Sequence, residues 1–122
     1  MPSTMTLTKK FEFAAAHRLT KVPAGHPCAK MHGHTYEVEV EVKGPVDPEK
    51  GWVIDFSVIK DGIYPYLNLL EHNCLNELEG LKNPTSENLA LWLWKKLKPS
   101  LPLLSRISVA ESRNARCDYW GD

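Results

Sequence analysis

From His32 to Val42 the side chains alternate without a break. Tyr36, Val38, Val40 and Val42 share one parity, and Glu37, Glu39 and Glu41 share the other. A period of two marks a strand with one buried face and one wet face. Thr6 to Ala16 repeats the pattern, with Leu7, Phe11, Phe13 and Ala15 on one side. A sheet built from such strands needs a cover on its apolar face. Pro84-Thr85-Ser86-Glu87-Asn88 predicts a helix start with Thr85 as N-cap, running to about Leu97 before Pro99. Leu89, Leu91, Trp92, Leu93 and Trp94 are apolar on more than one side of that helix, which predicts burial on two faces. Trp92 and Trp94 therefore read as core, not as a cofactor platform. Ser57 predicts the N-cap of another helix over 58–70, with Asp55 also placed to cap at the Asp55-Phe56 junction. Gly62 and Pro65 predict a kink or a split in it.

The remaining elements are short. Arg18 to Met31, with Pro23, Gly25 and Pro27, reads as a loop. Gly44-Pro45 predicts the end of the second strand, and a turn at Asp47-Pro48 leads to a short strand over Gly51 to Asp55. Arg106 to Ser112 reads as a strand with Ile107 and Val109 inward, and Cys117 to Trp120 as a last short one. Strands in hairpin order with two helices imply an antiparallel α+β domain, single over residues 1–122.

Charge excludes several partners. Lys+Arg number 15 and Asp+Glu number 15, and no basic block breaks that balance. A nucleic-acid partner or an anionic membrane surface is therefore not expected. No apolar run approaches the ~18 residues of a membrane span, and Met1 to Thr6 lacks the pattern of a signal peptide. Cys28, Cys74 and Cys117 are odd in number, widely spaced and without a CxxC pair. They argue against a disulfide framework and for reduced thiols in the cytoplasm.

His32-Gly33-His34 opens the best strand. Residues i and i+2 of a strand share a face with Cα atoms about 6.6 Å apart. Both histidines have the parity of Tyr36 and Val38, and so point to the apolar side. His17 has the parity of Phe13 and Ala15 and points the same way. Buried imidazoles need partners. If the two strands are neighbours, three neutral imidazoles meet on one sheet face and leave a zinc ion one open position, as in catalytic sites. Core or surface histidines are the competing reading for each of them.

Other residues carry chemistry by type. Cys28 lies four residues before His32 in a polar Pro/Gly loop, where a cation would lower its pKa and make it a base or nucleophile. His26 reads as a solvent-exposed loop histidine. Glu71-His72 follows Leu69-Leu70 and offers an acid that could fix a relay imidazole, or an exposed pair without function. Glu111 shares the parity of Ile107 and Val109. It is either an inward carboxylate awaiting paired N–H donors from a ligand, or a strand-end residue that reaches water. Cys74 and Cys117 read as structural.

Several stretches together resemble the 6-pyruvoyl-tetrahydropterin synthase / QueD family over nearly the whole chain. They are Phe13-Ala14-Ala15-Ala16-His17-Arg18-Leu19, Gly25-His26-Pro27-Cys28 leading to His32-Gly33-His34-Thr35-Tyr36, Trp52-Val53-Ile54-Asp55-Phe56, Leu70-Glu71-His72-Asn73-Cys74-Leu75-Asn76 and Asn83 to Ala90. The end, Glu111-Ser112 through Cys117-Asp118-Tyr119-Trp120-Gly121, is similar to the bacterial QueD branch.

The resemblance implies a tunnelling (T-fold) domain: a four-stranded antiparallel sheet with two helices on one face, joined into an oligomeric barrel as a hexamer of two trimers. It implies a zinc-dependent lyase converting 7,8-dihydroneopterin triphosphate to 6-carboxy-5,6,7,8-tetrahydropterin, acetaldehyde and triphosphate on the way to queuosine and other 7-deazapurines. His17, His32 and His34 match the zinc ligands, Cys28 the proton-abstracting residue and His72 the relay histidine. Glu111 matches the pterin-holding carboxylate, and Thr85 and Ser86 could help seat the ring. The family usually places Asp before the relay histidine, and Glu71 departs from it by one methylene. A 6-pyruvoyl-tetrahydropterin synthase that stops after triphosphate elimination is the alternative, and a zinc- or pterin-binding homologue with little turnover is the other.

Overall fold

The computed structural model describes residues 2–122. Four strands form one sheet in the order β1-β2-β3-β4: β1 Thr4–His17, β2 His32–Pro45, β3 Leu104–Ser112 and β4 Ala115–Tyr119. Every neighbouring pair is antiparallel. Helices α1, Phe56–Leu70, and α2, Ser86–Leu97, lie in the crossover from β2 to β3. Two 3₁₀ turns, Pro27–Ala29 and Leu75–Glu77, punctuate the loops.

The alternation in the sequence becomes the two faces of this sheet. Phe13, Ala15, Tyr36, Val38, Val40, Val42, Ile107 and Val109 are buried beneath the helices. Helix α1 contributes Ile59, Ile63, Leu67 and Leu70, spaced by three and four residues so that they share one side. Helix α2 contributes Leu89, Ala90, Trp92, Leu93 and Leu97, while Leu91 is exposed. Its buried surface is thus one broad face, narrower than the two-sided burial expected.

The opposite sheet face carries charge in a fixed pattern. The Arg106 guanidinium donates to Glu39 at 2.9 Å, Glu41 at 3.0 Å and Asp118 at 3.0 Å, joining β2, β3 and β4.

Three local expectations are corrected. Residues 51–54 form bends, not a strand. The Asp47 carboxylate accepts from the Glu49 and Lys50 N–H groups, and the Asp47 N–H donates to the Trp52 carbonyl, so the chain curls on itself away from any sheet edge. Strand β2 runs through Gly44-Pro45 because β1 begins early enough to pair there, Thr4 with Pro45. A Cβ on Gly44 would lie 3.1 Å from Leu103 and 3.3 Å from Val53, so the glycine admits a close approach. Helix α1 begins at Phe56, with Asp55 rather than Ser57 as its cap: the Asp55 carboxylate accepts from the Ser57 N–H at 2.9 Å. Pro65 sits inside α1 without splitting it. It lies on the exposed side, where water can satisfy the carbonyl it leaves free, and Ile63 and Leu67 hold the helix down.

The cap assignment is testable by urea denaturation. Asp55→Ala is expected to lower stability by about 1 kcal/mol, and Ser57→Ala by less than about 0.5 kcal/mol. Equal effects would contradict the assignment.

Candidate metal centre

The β1–β2 register places His17 directly opposite His32, with His34 two residues further on the same face, opposite Ala15. Ring centroids are 4.6 Å apart for His17 and His32, 5.0 Å for His17 and His34, and 4.8 Å for His32 and His34. One nitrogen of each ring lies within 4.8 Å of the others.

The His17 Nδ1–H points at the Pro84 carbonyl, 2.7 Å away, with the Tyr36 hydroxyl oxygen at 3.0 Å as a second acceptor. The His32 Nδ1–H donates to the Lys30 carbonyl at 2.8 Å. In neutral rings so arranged, both Nε2 atoms carry lone pairs, and these face each other across 3.1 Å. The His34 Nε2 is buried with no hydrogen-bond partner. Three nitrogens within 4.8 Å of one another, two of them with fixed lone pairs and one orphaned, form a donor set that a divalent cation could satisfy. The residues present therefore fit a metal ion. Burial pulls the His17 pKa below its usual value, against the pull of the Pro84 carbonyl and Glu111, so this ring stays neutral and available as a ligand.

Glu111 stands at the edge of the triangle, its Oε2 3.9 Å from His34 Nε2. It sits where the β3–β4 register shifts between Ala110 and Ser112. The Ser86 hydroxyl donates to its Oε1 at 2.9 Å and fixes its orientation. Thr85 is the N-cap of α2, its Oγ1 accepting from the Asn88 N–H. Ser86 and Glu111 are thus brought together, while the Thr85 oxygen is engaged by the helix end. Burial, reinforced by Glu111, pushes the Tyr36 phenol up, so it stays protonated.

Glu71 and His72 lie at the outer edge of β1. The His72 N–H donates to the Ala14 carbonyl at 2.6 Å, the Ala16 N–H to the Asn73 carbonyl at 3.1 Å, and Ala16 and Cys74 form a parallel bridge. Glu71 Oε1 accepts from the Ala14 N–H at 3.2 Å and lies 3.1 Å from His72 Nε2. Its extra methylene thus leaves the carboxylate in reach of both the imidazole and the strand. His72 has φ 57°, the left-handed region that is unfavourable for a side chain with a Cβ. It shares an open cleft with His34, floored by Ala14, Ala16 and Gly33.

Cys28 is half-buried on the 3₁₀ turn. Its N–H donates to His26 Nδ1 at 3.0 Å, and its carbonyl accepts from the Leu19 N–H at 2.7 Å, two residues past His17. The exposed His26 therefore caps this turn. Cys74 Sγ lies 3.9 Å from both Met31 Sδ and Asn76 Oδ1, and the Cys117 thiol is pushed up by burial.

Fold and site together define a class: a small antiparallel α+β domain with a tri-histidine cluster, fit to hold a metal ion, between its first two strands. The chain belongs to the 6-pyruvoyl tetrahydropterin synthase family, whose model matches residues 6–122. It is 36% identical over 118 residues to a 6-carboxy-5,6,7,8-tetrahydropterin synthase from Synechocystis sp., covering 92% of this chain and 90% of that one. It is 38% identical over 85 residues to a dihydroneopterin monophosphate aldolase from Pyrococcus furiosus, covering 67% of this chain and 71% of that one. The structure of Caenorhabditis elegans 6-pyruvoyl tetrahydropterin synthase superposes with a TM-score of 0.92 at 28% identity, covering 99% and 98% of the two chains.

The lowered His17 pKa sets a pH dependence for metal-stripped protein. The unfolded chain takes a proton on His17 near 6.5, and the folded chain takes it only at lower pH. The unfolded state then binds more protons, so stability falls as pH drops through 6.5 and is unaffected well above it. Urea midpoints at about pH 8 and about pH 5.5 should differ more for the parent protein than for His17→Asn. An identical difference would contradict it.

Proposed function

We propose that this chain is a zinc-dependent lyase that converts 7,8-dihydroneopterin triphosphate and one water to 6-carboxy-5,6,7,8-tetrahydropterin, releasing acetaldehyde and triphosphate, in queuosine and related 7-deazapurine synthesis. The observation that carries the reading is the convergence of the His17, His32 and His34 nitrogens, with His34 also lining a cleft at the β1 edge that holds His72. The family and the Synechocystis relative support the pterin chemistry.

His17, His32 and His34 would hold the ion. Bound there, zinc supplies a Lewis acid for side-chain hydroxyl oxygens of the pterin and acidifies the adjoining C–H. Cys28 is the base for that hydrogen. His72 returns a proton, with Glu71 fixing the orientation of its ring through the 3.1 Å contact. Glu111, oriented by Ser86, accepts the paired N–H groups of the amino-pyrimidine edge. Thr85 sets the helix end that presents Ser86.

The sheet also motivates a homo-oligomer. Strands β1 and β4 are its edges, and residues 72–74 cover β1 only near the site. Pairing β1 of one copy with β4 of the next would close a ring, in a hexamer of two trimers. No helix among the described residues is long and apolar enough to cross a membrane. The reading places the enzyme in the cytoplasm with a small-molecule substrate and no nucleic-acid partner.

Incubation with dihydroneopterin triphosphate should release acetaldehyde, and a chelator should abolish the release. Cys28→Ala should lower turnover by about a hundredfold or more while metal content, read by elemental analysis, is retained. A pyruvoyl product without acetaldehyde would replace the lyase with the synthase named for the C. elegans neighbour. Unchanged turnover in Cys28→Ala would remove the thiol from the reaction.

A further inference from the structure

From the site end of β1 onward, residues 14, 16, 18 and 20 give backbone groups to partners outside the β1–β2 pair. The Ala14 N–H donates to Glu71 Oε1 at 3.2 Å, and its carbonyl accepts from the His72 N–H at 2.6 Å. The Ala16 N–H donates to the Asn73 carbonyl at 3.1 Å. Past the end of the strand the series continues on side-chain amides. Asn76 Oδ1 accepts from the Arg18 N–H at 2.9 Å, and Asn76 Nδ2 donates to the Arg18 carbonyl at 2.9 Å. Asn83 Oδ1 accepts from the Thr20 N–H at 3.1 Å.

Asn76 thus offers Arg18 one acceptor and one donor, as a residue of a neighbouring strand would. A side-chain amide has one N–H more than a backbone residue. That surplus N–H donates to the Lys82 carbonyl at 3.2 Å. Two residues further on, the Pro84 carbonyl accepts from the His17 Nδ1–H at 2.7 Å. One planar group therefore fixes His17 from two sides, its main chain through Arg18 and its ring through the segment 82–84. The amide is itself held by the 3₁₀ turn Leu75–Glu77, which the fully buried Leu75 anchors. The partners dictate the residue type. An ionised Asp has no donor and would set an oxygen against two carbonyls, and Ser has a single donor.

Resting on the metal-binding reading of the histidine cluster, we propose that Asn76 is a positioning residue that aims His17 Nε2 at the ion. It acts through the spacing of residues 18 and 82, which brings the Pro84 carbonyl within reach of Nδ1. With that bond made, the proton stays on Nδ1 and the lone pair on Nε2. The Tyr36 hydroxyl, 3.0 Å from Nδ1, can donate as well as accept and does not select the tautomer by itself. Without the Asn76 bridge the ring is free to take the other tautomer or to turn from His32 and His34.

The test compares Asn76→Asp and Asn76→Ala with Asp55→Ala, which removes the α1 cap beside Met5 and Leu7 at the far end of β1. Zinc affinity is read by competition with a chromophoric chelator, under conditions where urea titration shows each protein folded. Both Asn76 variants should bind zinc about tenfold more weakly or worse. The visible absorption of the cobalt-substituted protein should change with them. Asp55→Ala should stay within about twofold of the parent affinity and keep its cobalt spectrum. A role in stability alone would lower the urea midpoints of all three and leave affinity and spectrum unmoved, and that result would overturn the proposal. The second readout is NMR of the ring nitrogens in metal-stripped protein at about pH 8, where an ordinary imidazole is neutral. His17 should show one tautomer, protonated on Nδ1, in the parent and both tautomers in Asn76→Asp. A single unchanged tautomer in both Asn76 variants would overturn the proposal as well. Should Asn76→Asp not fold, Asn76→Ala carries both readings. If the parent binds neither zinc nor cobalt, the metal reading fails, and the tautomer still decides whether Asn76 positions the ring.

Discussion

The pairing of β1 with β2 is the constraint on which the rest depends. Its register runs unbroken from Thr4 opposite Pro45 to His17 opposite His32. A slip of one residue would turn one strand's apolar set to the charged face and carry its histidines with it. The core prevents this, because Phe13 and Tyr36 stack as cross-strand partners at 4.9 Å between centroids. The histidine triangle begins one step further along the same two strands. Alternation that builds the core thus also delivers three imidazoles to one point, where the apolar face reaches the end of the hairpin. Opposed lone pairs and an orphaned nitrogen are unfavourable without a cation, so an ion held there would couple its binding to the folding of this end.

The site is completed by segments that reach the hairpin through backbone groups. The carbonyl of Pro84, at the approach to α2, holds His17, and the next residues supply the helix cap and the serine on Glu111. On the other side, residues 71–74 lie along the β1 edge and carry His72 into the cleft. The left-handed backbone at His72 costs on the order of 1 kcal/mol. Three contacts to β1 offset it: the Ala14 carbonyl, the Ala14 N–H and the Ala16 N–H. The imidazole is therefore held by its main chain, with Glu71 serving both the strand and the ring. The longer side chain at position 71 suits that double role, since its oxygen spans the gap to two donors on different segments.

What the sequence made legible follows from periodicity. Strand faces, the inward parity of His17, His32, His34 and Glu111, and the Thr85 cap are all local patterns, and local patterns survive folding. The bends over residues 51–54 were hidden because a short apolar run reads as a strand whether or not an edge is free to receive it. The continuity of α1 through Pro65 was hidden because tertiary burial outweighs a local penalty. The Lys30 and Pro84 carbonyls that orient the rings were invisible for a different reason: any residue type supplies a carbonyl. Tyr36 was accessible in principle, since a phenol two residues past His34 and of the same parity must place its hydroxyl among the imidazoles. Asn76 gave no signal, because its role arises only when the loops at 18 and 82 meet.

The two faces of the sheet answer different demands. The inner face is apolar until it meets the histidines. The outer face is a net of ion pairs centred on Arg106, which is only 12% exposed. Pairs so desolvated add little stability over apolar groups of equal size, but removing one partner is costly. Their consequence is specificity of alignment, because Arg106 ties β3 to carboxylates on β2 and β4 at once. That alignment carries to the far end of β3, where Glu111 leaves the ladder toward His34. In the ring proposed above, the same net would line the interior, and the free part of the β1 edge would meet a neighbour. Residues 72–74 stop that pairing short of the histidines. The cleft would then open at the junction between copies, so closing the sheet and forming the site become one problem of strand alignment.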